Sequence, residues 1–309
     1  MRKMRIGGTL AGIAIAALAL TACNSGTPGS TGDNGDTGDT GDTGDAAVWG
    51  EVATDVAIDG SPTFDSITAD GKIVIGVKED QPGLGYLDPV TGERTGFDVD
   101  VARWIAASLG YDPTDTSKVE FQVVQSANRE QALINGDIDY YVGTYSITDA
   151  RKEQISFAGP YFITGQGLLT AADSELAGKD ALTSAETVCS VTGSTSIQRI
   201  KDETEAQTTE KDSYSQCVED VKNGQADAVT TDEAILLGYV AQDPDNLKVV
   251  GEVFSEERYG IGIQKGDTAF QEFINTLLTD GGDTWTAIFD ANLGASGIAG
   301  DQPAVDPVE

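Results

Sequence analysis

Histidine is absent from all 309 residues, and cysteine occurs only three times, at Cys23, Cys189 and Cys217, never as Cys-x-x-Cys. A zinc or iron–sulfur centre is therefore poorly supported, and histidine acid–base chemistry is ruled out. Basic residues are scarce too, 19 Lys and Arg against 51 Asp and Glu, for a net charge of −32. Such a surface repels phosphate backbones and anionic lipid, so nucleic acid is not an expected partner. No Gly-x-x-x-x-Gly-Lys-Ser/Thr loop occurs, which argues against nucleotide binding. Only one long apolar run exists, and it lies at the amino terminus.

That run, Ile6 to Leu20, follows Arg2, Lys3 and Arg5 and is too short and too rich in small residues for a spanning helix. It reads as a signal peptide over residues 1–22. Leu20-Thr21-Ala22-Cys23 is similar to the lipobox of bacterial lipoproteins, which implies a diacylglyceryl thioether on Cys23 and an anchor on the extracytoplasmic face of the cell membrane. A Thr-Gly-Asp repeat follows, unbroken from Thr37 to Asp45, and residues 23–66 are expected to form a disordered acidic tether. About 25 such residues reach roughly 25–30 Å. Removal of residues 1–22 takes away three basic residues and no acidic one, so the charge moves from −32 to −35. With Cys23 acylated, Cys189 and Cys217 remain, and an oxidising compartment favours their pairing.

From about residue 70 onward, strand-like and helix-like stretches alternate. Lys72–Lys78 is a continuous apolar strand, and Val101, Ile105 and Leu109 mark a helix from Phe97 that stops at Gly110. Strands over Val119–Val124 and Ile138–Val142 flank a short helix from Arg129 to Asn135. The pattern restarts with a strand at Thr187–Val191, helices at Ser196–Lys201, Tyr214–Asn223 and Asp232–Val240, and strands at Ala226–Val229 and Leu247–Val250. Two glycine-marked extended runs, Tyr161–Leu169 and Arg258–Ile263, bracket this second round, and an amphipathic helix carrying Phe270, Phe273, Ile274, Leu277 and Leu278 follows. The expectation is an α/β protein of two lobes, with parallel-rich sheets joined by a two-strand hinge. Lobe 1 takes residues 67–164 and 255–294 and lobe 2 takes 165–254, with 295–309 a disordered tail. A ligand cleft should lie between the lobes, where the carboxyl ends of strands converge.

Gly96-Phe97-Asp98-Val99-Asp100-Val101-Ala102, Gly143-Thr144-Tyr145-Ser146-Ile147-Thr148-Asp149-Ala150-Arg151, Phe157-Ala158-Gly159-Pro160-Tyr161-Phe162 and Ala226-Asp227-Ala228-Val229-Thr230-Thr231-Asp232 occur in that order. Together they resemble family 3 solute-binding proteins of polar amino-acid ABC importers, over residues 70–292. Ile75-Gly76-Val77-Lys78-Glu79-Asp80-Gln81-Pro82-Gly83-Leu84-Gly85 and the Cys189/Cys217 pair look most like glutamate-binding lipoproteins of high-GC Gram-positive bacteria. The resemblance implies the type II periplasmic-binding-protein-like fold, no cofactor, no catalysis, and partnership with a permease and its ATPase.

The residues support that reading chemically. Arg151 offers a planar fork for an α-carboxylate, with Ser146 adding a hydroxyl and Thr144 its backbone. Asp232, after an apolar strand, suits an α-ammonium; it also suits a helix N-cap. Thr195 opens a helix whose free amides attract a carboxylate, or it caps and nothing more. Lys78 and Arg129 are the candidate readers of a side-chain carboxylate, which makes L-glutamate the expected ligand, with aspartate or glutamine weaker. Each of these cations could equally be a solvated surface charge. A ligand-sensing lobe for a signalling partner and a dehydratase-like enzyme on the same fold are the alternatives.

Overall fold

A computed structural model describes residues 47–298 and 300–308. The signal peptide, Cys23 and the Thr-Gly-Asp repeat lie outside the described residues. The chain enters through α1 (Pro62–Asp70) and β1 (Ile73–Val77), then makes a small antiparallel excursion through β2 (Asp80–Gln81), β3 (Gly85–Leu87) and β4 (Arg94–Thr95). It continues through α2 (Phe97–Ser108), β5 (Val119–Val123), α3 (Arg129–Asn135), β6 (Tyr140–Tyr141), the single turn α4 (Asp149–Lys152) and the long β7 (Ser156–Thr164). The second round holds β8 (Gln166–Ala171), β9 (Thr187–Val191), α5 (Thr195–Glu203), β10 (Gln207–Lys211), α6 (Tyr214–Lys222), β11 (Ala228–Asp232), α7 (Glu233–Gln242) and β12 (Leu247–Val250). β13 (Glu257–Ile263), α8 (Thr268–Asp280) and α9 (Gly282–Asn292) complete the order.

Two five-stranded sheets result, β5-β1-β6-β13-β7 and β10-β9-β11-β8-β12. In each, four strands run in one direction and one runs against them, β13 in the first sheet and β8 in the second. Inner strands are the apolar ones, since helices cover both faces there: Ile73, Ile75 and Val77 of β1 have no exposed surface. β13 returns to the first sheet beside β7, so lobe 2 is an insertion into lobe 1. The crossings touch: Thr164 pairs with Glu257, the Gln166 amide donates to Ser255 Oγ at 3.0 Å, and the Phe254 amide donates to Gln166 O at 2.9 Å. A disulfide joins Cys189 of β9 to Cys217 of α6, with Cα atoms 5.4 Å apart, inside lobe 2. Among the described residues no helix is long and apolar enough to cross a membrane.

Two expectations are corrected. The tether does not run to residue 66: low complexity ends near Asp45, and the apolar Val48, Trp49, Val56 and Ile58 that follow reach the core. Arg103 stacks over Trp49 at 5.1 Å, and Ser61 caps α1 while its hydroxyl donates to Asp267 Oδ2 at 2.9 Å. Nor is the last stretch loose. The Asp306 amide donates to Gly159 O at 2.7 Å, Asn275 Nδ2 donates to Asp306 O at 3.0 Å, and Arg258 pairs with the Asp306 carboxylate at 2.7 Å. Residues 300–308 thus lie along lobe 1, held by backbone bonds that composition does not announce.

Candidate functional site

The loop after β6 builds one wall. Thr144 sits at φ +47°, a conformation few non-glycine residues adopt, and is held there from two sides. Its amide donates to Asp98 Oδ2 at 2.9 Å, and its hydroxyl to Gln81 Oε1 at 3.1 Å. Asp98, with no exposed surface, also accepts from the Tyr161 hydroxyl at 2.7 Å, and burial pushes its carboxyl up to about 6.

Tyr145 next door is a platform for two cations: the Arg129 guanidinium lies 4.1 Å from the ring centroid and that of Arg151 4.9 Å. Arg151 is fixed at the start of α4, where the Thr148 side chain caps its amide at 3.3 Å. It donates to Ser146 O at 2.6 Å and to Gly193 O at 3.0 Å, and its Nε lies 3.4 Å from Glu130. Arg129 donates to Ser126 O at 3.0 Å and to Gly193 O at 3.4 Å. Among the described residues it has no carboxylate within ion-pair distance, and it is almost wholly buried. Burial, then the Arg129 charge, pulls Arg151 down to about 10.

Lobe 2 supplies the other wall. After β9 the chain turns at Gly193, φ +80°, and enters α5, whose N-cap is Ser194, its hydroxyl accepting from the Ile197 amide. Thr195 is therefore the first helical residue, and its hydroxyl donates across to Glu257 Oε2 at 3.1 Å. At Gly193 the lobes touch closely: a Cβ there would stand 2.9 Å from Ala127 Cα, so only glycine allows this approach. Asp232 ends β11 and precedes α7 without giving that helix a side-chain cap bond, so the capping role is not the one it plays. Its Oδ2 accepts from the Tyr259 hydroxyl at 2.6 Å, while Oδ1 is buried with no partner among the described residues. Burial, then the nearby Glu257 charge, pushes its carboxyl up to about 7.

These walls enclose a small polar cavity lined by Ser126, Arg129, Thr144, Ser146, Arg151, Ser194, Thr195, Ser196, Tyr214 and Asp232. Six of the seven ligand residues expected from the sequence line it together. Lys78 does not: it is buried behind the wall, its ammonium donating to Ser126 Oγ at 2.8 Å. Burial, then the Arg129 charge, pulls that ammonium down to about 7. Ser126, Ser194, Ser196 and Tyr214 went unread in the sequence. Ser194 and Ser196 flank Thr195 in Gly193-Ser194-Thr195-Ser196, where the helix start could have revealed them. Ser126 and Tyr214 carry no sequence signal. Chemically the cavity holds cationic donors on the lobe 1 side and a half-satisfied carboxylate on the lobe 2 side, which suits a small zwitterion with a further anionic or amide group.

The family model for bacterial extracellular solute-binding proteins, family 3, matches residues 73–291. A glutamate-binding protein of Corynebacterium efficiens is 42% identical over 216 residues, covering 67% of this chain and 73% of the relative. A glutamine-binding protein of Geobacillus stearothermophilus is 41% identical over 208 residues, 67% of this chain and 78% of the relative. Among solved structures, the cysteine-binding protein from Campylobacter jejuni matches with a TM-score of 0.72 at 25% identity, over 78% of this chain and 99% of that one. An ancestral arginine-binding protein bound to arginine matches with a TM-score of 0.64 at 32% identity, over 72% and 99%.

Proposed function

We propose that this chain, which belongs to the bacterial extracellular solute-binding proteins of family 3, closes its two lobes on L-glutamate and delivers it to an ABC importer. One observation carries the reading: the buried Oδ1 of Asp232 lacks a partner inside a cavity that Arg129 and Arg151 share. A zwitterion supplies what both sides lack. Its ammonium meets Asp232 Oδ1; its α-carboxylate meets Arg151, the Ser146 hydroxyl and the first amides of α5. Its side-chain carboxylate meets Arg129 and Ser126, with Lys78 supplying charge from behind. Ligand contacts made from both lobes favour the closed arrangement by their differential affinity, and a permease with its ATPase then reads that arrangement. The chain holds its ligand without transforming it. We assign Cys23 the lipid that keeps the protein at the extracytoplasmic face of the membrane.

A glutamine reading has its own support. Lys78 stands behind Ser126 instead of on the cavity wall, which leaves one cation fewer to meet an anionic side chain. Calorimetry against the twenty amino acids decides: glutamate tightest, with aspartate and glutamine weaker, is expected, and glutamine tightest overturns the glutamate assignment. For the anchor, Cys23→Ala should release the protein from cells into the medium, and membrane retention of that variant would refute the lipid.

A further inference from the structure

Away from the cavity the lobes meet a second time. Asp80 of β2 reaches lobe 2, where its Oδ2 accepts from the Ser215 amide at 3.1 Å and from the Tyr239 hydroxyl at 3.3 Å. The same hydroxyl also donates to the Asp80 carbonyl oxygen. Ser215 is the second residue of α6, and the N-cap of that helix, Ser213, makes no side-chain cap bond; its hydroxyl lies instead 2.9 Å from that of Ser215. A carboxylate of one lobe therefore caps a helix of the other. Beside it, Gly238 in the middle of α7 lies against Pro82. A Cβ on Gly238 would stand 2.2 Å from Pro82 O, and the three nearest atoms outside α7 all belong to Pro82 in the other lobe. Glycine is a poor residue for a helix interior. Its place here is explained by closure, not by α7.

We propose that Asp80 and Pro82 of lobe 1, with Ser215, Gly238 and Tyr239 of lobe 2, form a closure latch that sets how tightly any ligand is held without reading its side chain. None of these residues lines the cavity. The latch forms only when the lobes close, so its bonds add to the closed side of the equilibrium whatever the cleft contains. It rests on the amino-acid-receptor reading only in using an amino acid as the probe.

The test pairs calorimetry for glutamate and glutamine with the inter-lobe distance measured by fluorescence energy transfer, with and without ligand. Tyr239→Phe deletes the hydroxyl alone and should weaken both ligands by the same factor, about two- to tenfold. Gly238→Ala should weaken both more than that and shift the protein towards the open form, yet leave the unliganded chain at least as resistant to heat, since alanine favours the helix. Asp80→Ala should lose about two- to 30-fold, and Asp80→Asn, which keeps a capping oxygen but not the charge, should recover most of it. Wild-type affinity and wild-type inter-lobe distances in Gly238→Ala would overturn the latch, as would a Tyr239→Phe loss confined to one ligand. If the wild type binds none of the amino acids, the glutamate reading fails by itself. The latch then stands or falls on whether Gly238→Ala lengthens the inter-lobe distance of the unliganded chain.

Discussion

Titrating the affinity for glutamate and for glutamine between pH 5 and 9 should give two curves of different shape. Two groups at the cavity change charge near neutrality, and they act in opposite directions. The Asp232 carboxyl, pushed up to about 7 by burial and by Glu257, must lose its proton before it can hold an ammonium. Below that value each unit of acidification costs up to about tenfold in affinity for any amino acid, hence roughly fiftyfold from pH 7 to 5. The Lys78 ammonium, pulled down to about 7 by burial and by Arg129, must keep its proton to favour an anionic side chain. Above that value glutamate affinity should fall, by at most about tenfold per unit, until the pH passes the higher value that the bound anion gives Lys78. Glutamine, neutral at that end, should show the acid limb and little alkaline loss. Glutamate therefore traces a bell and glutamine a rise to a plateau. Isothermal calorimetry in buffers of different ionisation enthalpy checks both the slopes and the proton count. Lys78→Met should flatten the alkaline limb for glutamate, and Asp232→Asn should flatten the acid limb for both while weakening each. Superimposable curves for the two ligands would refute the role given to Lys78, and pH-independent binding would refute both.

Arg151→Ala and Asp232→Ala should each weaken every amino acid by roughly 3–5 kcal/mol, because each leaves a buried ligand charge unpaired; calorimetry on folded variants checks this. Arg129→Met should cost glutamate about 1.5–3 kcal/mol more than the structural loss it imposes on glutamine, so the affinity ratio should collapse towards one. Without ligand, the folded protein holds protons on Asp232 from pH 3.8 up to about 7 that the unfolded chain has already released. Stability should therefore fall as pH rises through that window, and the rise in melting temperature caused by glutamate should be larger at pH 7.5 than at pH 5. Reducing Cys189–Cys217, a separation of 28 residues, should remove about 3–4 kcal/mol of stability as seen in urea unfolding, with ligand contacts otherwise unchanged.

The sequence made legible those elements that bury an unbroken apolar run. β1 is such a run and β9 is nearly one, while a helix such as α3 was legible from its stop at Gly136. β10 escaped because Gln-Thr-Thr-Glu-Lys forms an edge strand with no buried residue, paired in its sheet with β9. β2 to β4 escaped because two- and three-residue strands leave no periodicity to see. That Arg151 and Asp232 would come to one cavity was legible, the first from a motif resembling the family's and the second from its place after an apolar strand. The Lys78 ammonium was misplaced by one layer: its position at the end of β1 was legible, but Ser126, which comes between it and the cavity, arrives from a different segment. The partnership of Tyr259 with Asp232 joins residues 27 apart in sequence across the hinge, a distance over which local pattern says nothing.

Both described ends of the chain are fastened to the same lobe: α1 through Ser61 and Thr63 to Asp267, the final residues through Asp306 to Arg258 and Asn275. Lobe 2 hangs from this body like a jaw from a skull. Anything fixed to the described ends, near residue 47 or residue 308, rides on the stationary part, whether a surface, a bead or a fluorescent protein. A dye on α7 instead travels with the bite. An amino-acid reporter built from this protein would thus carry its donor near one of those described ends and its acceptor on α7.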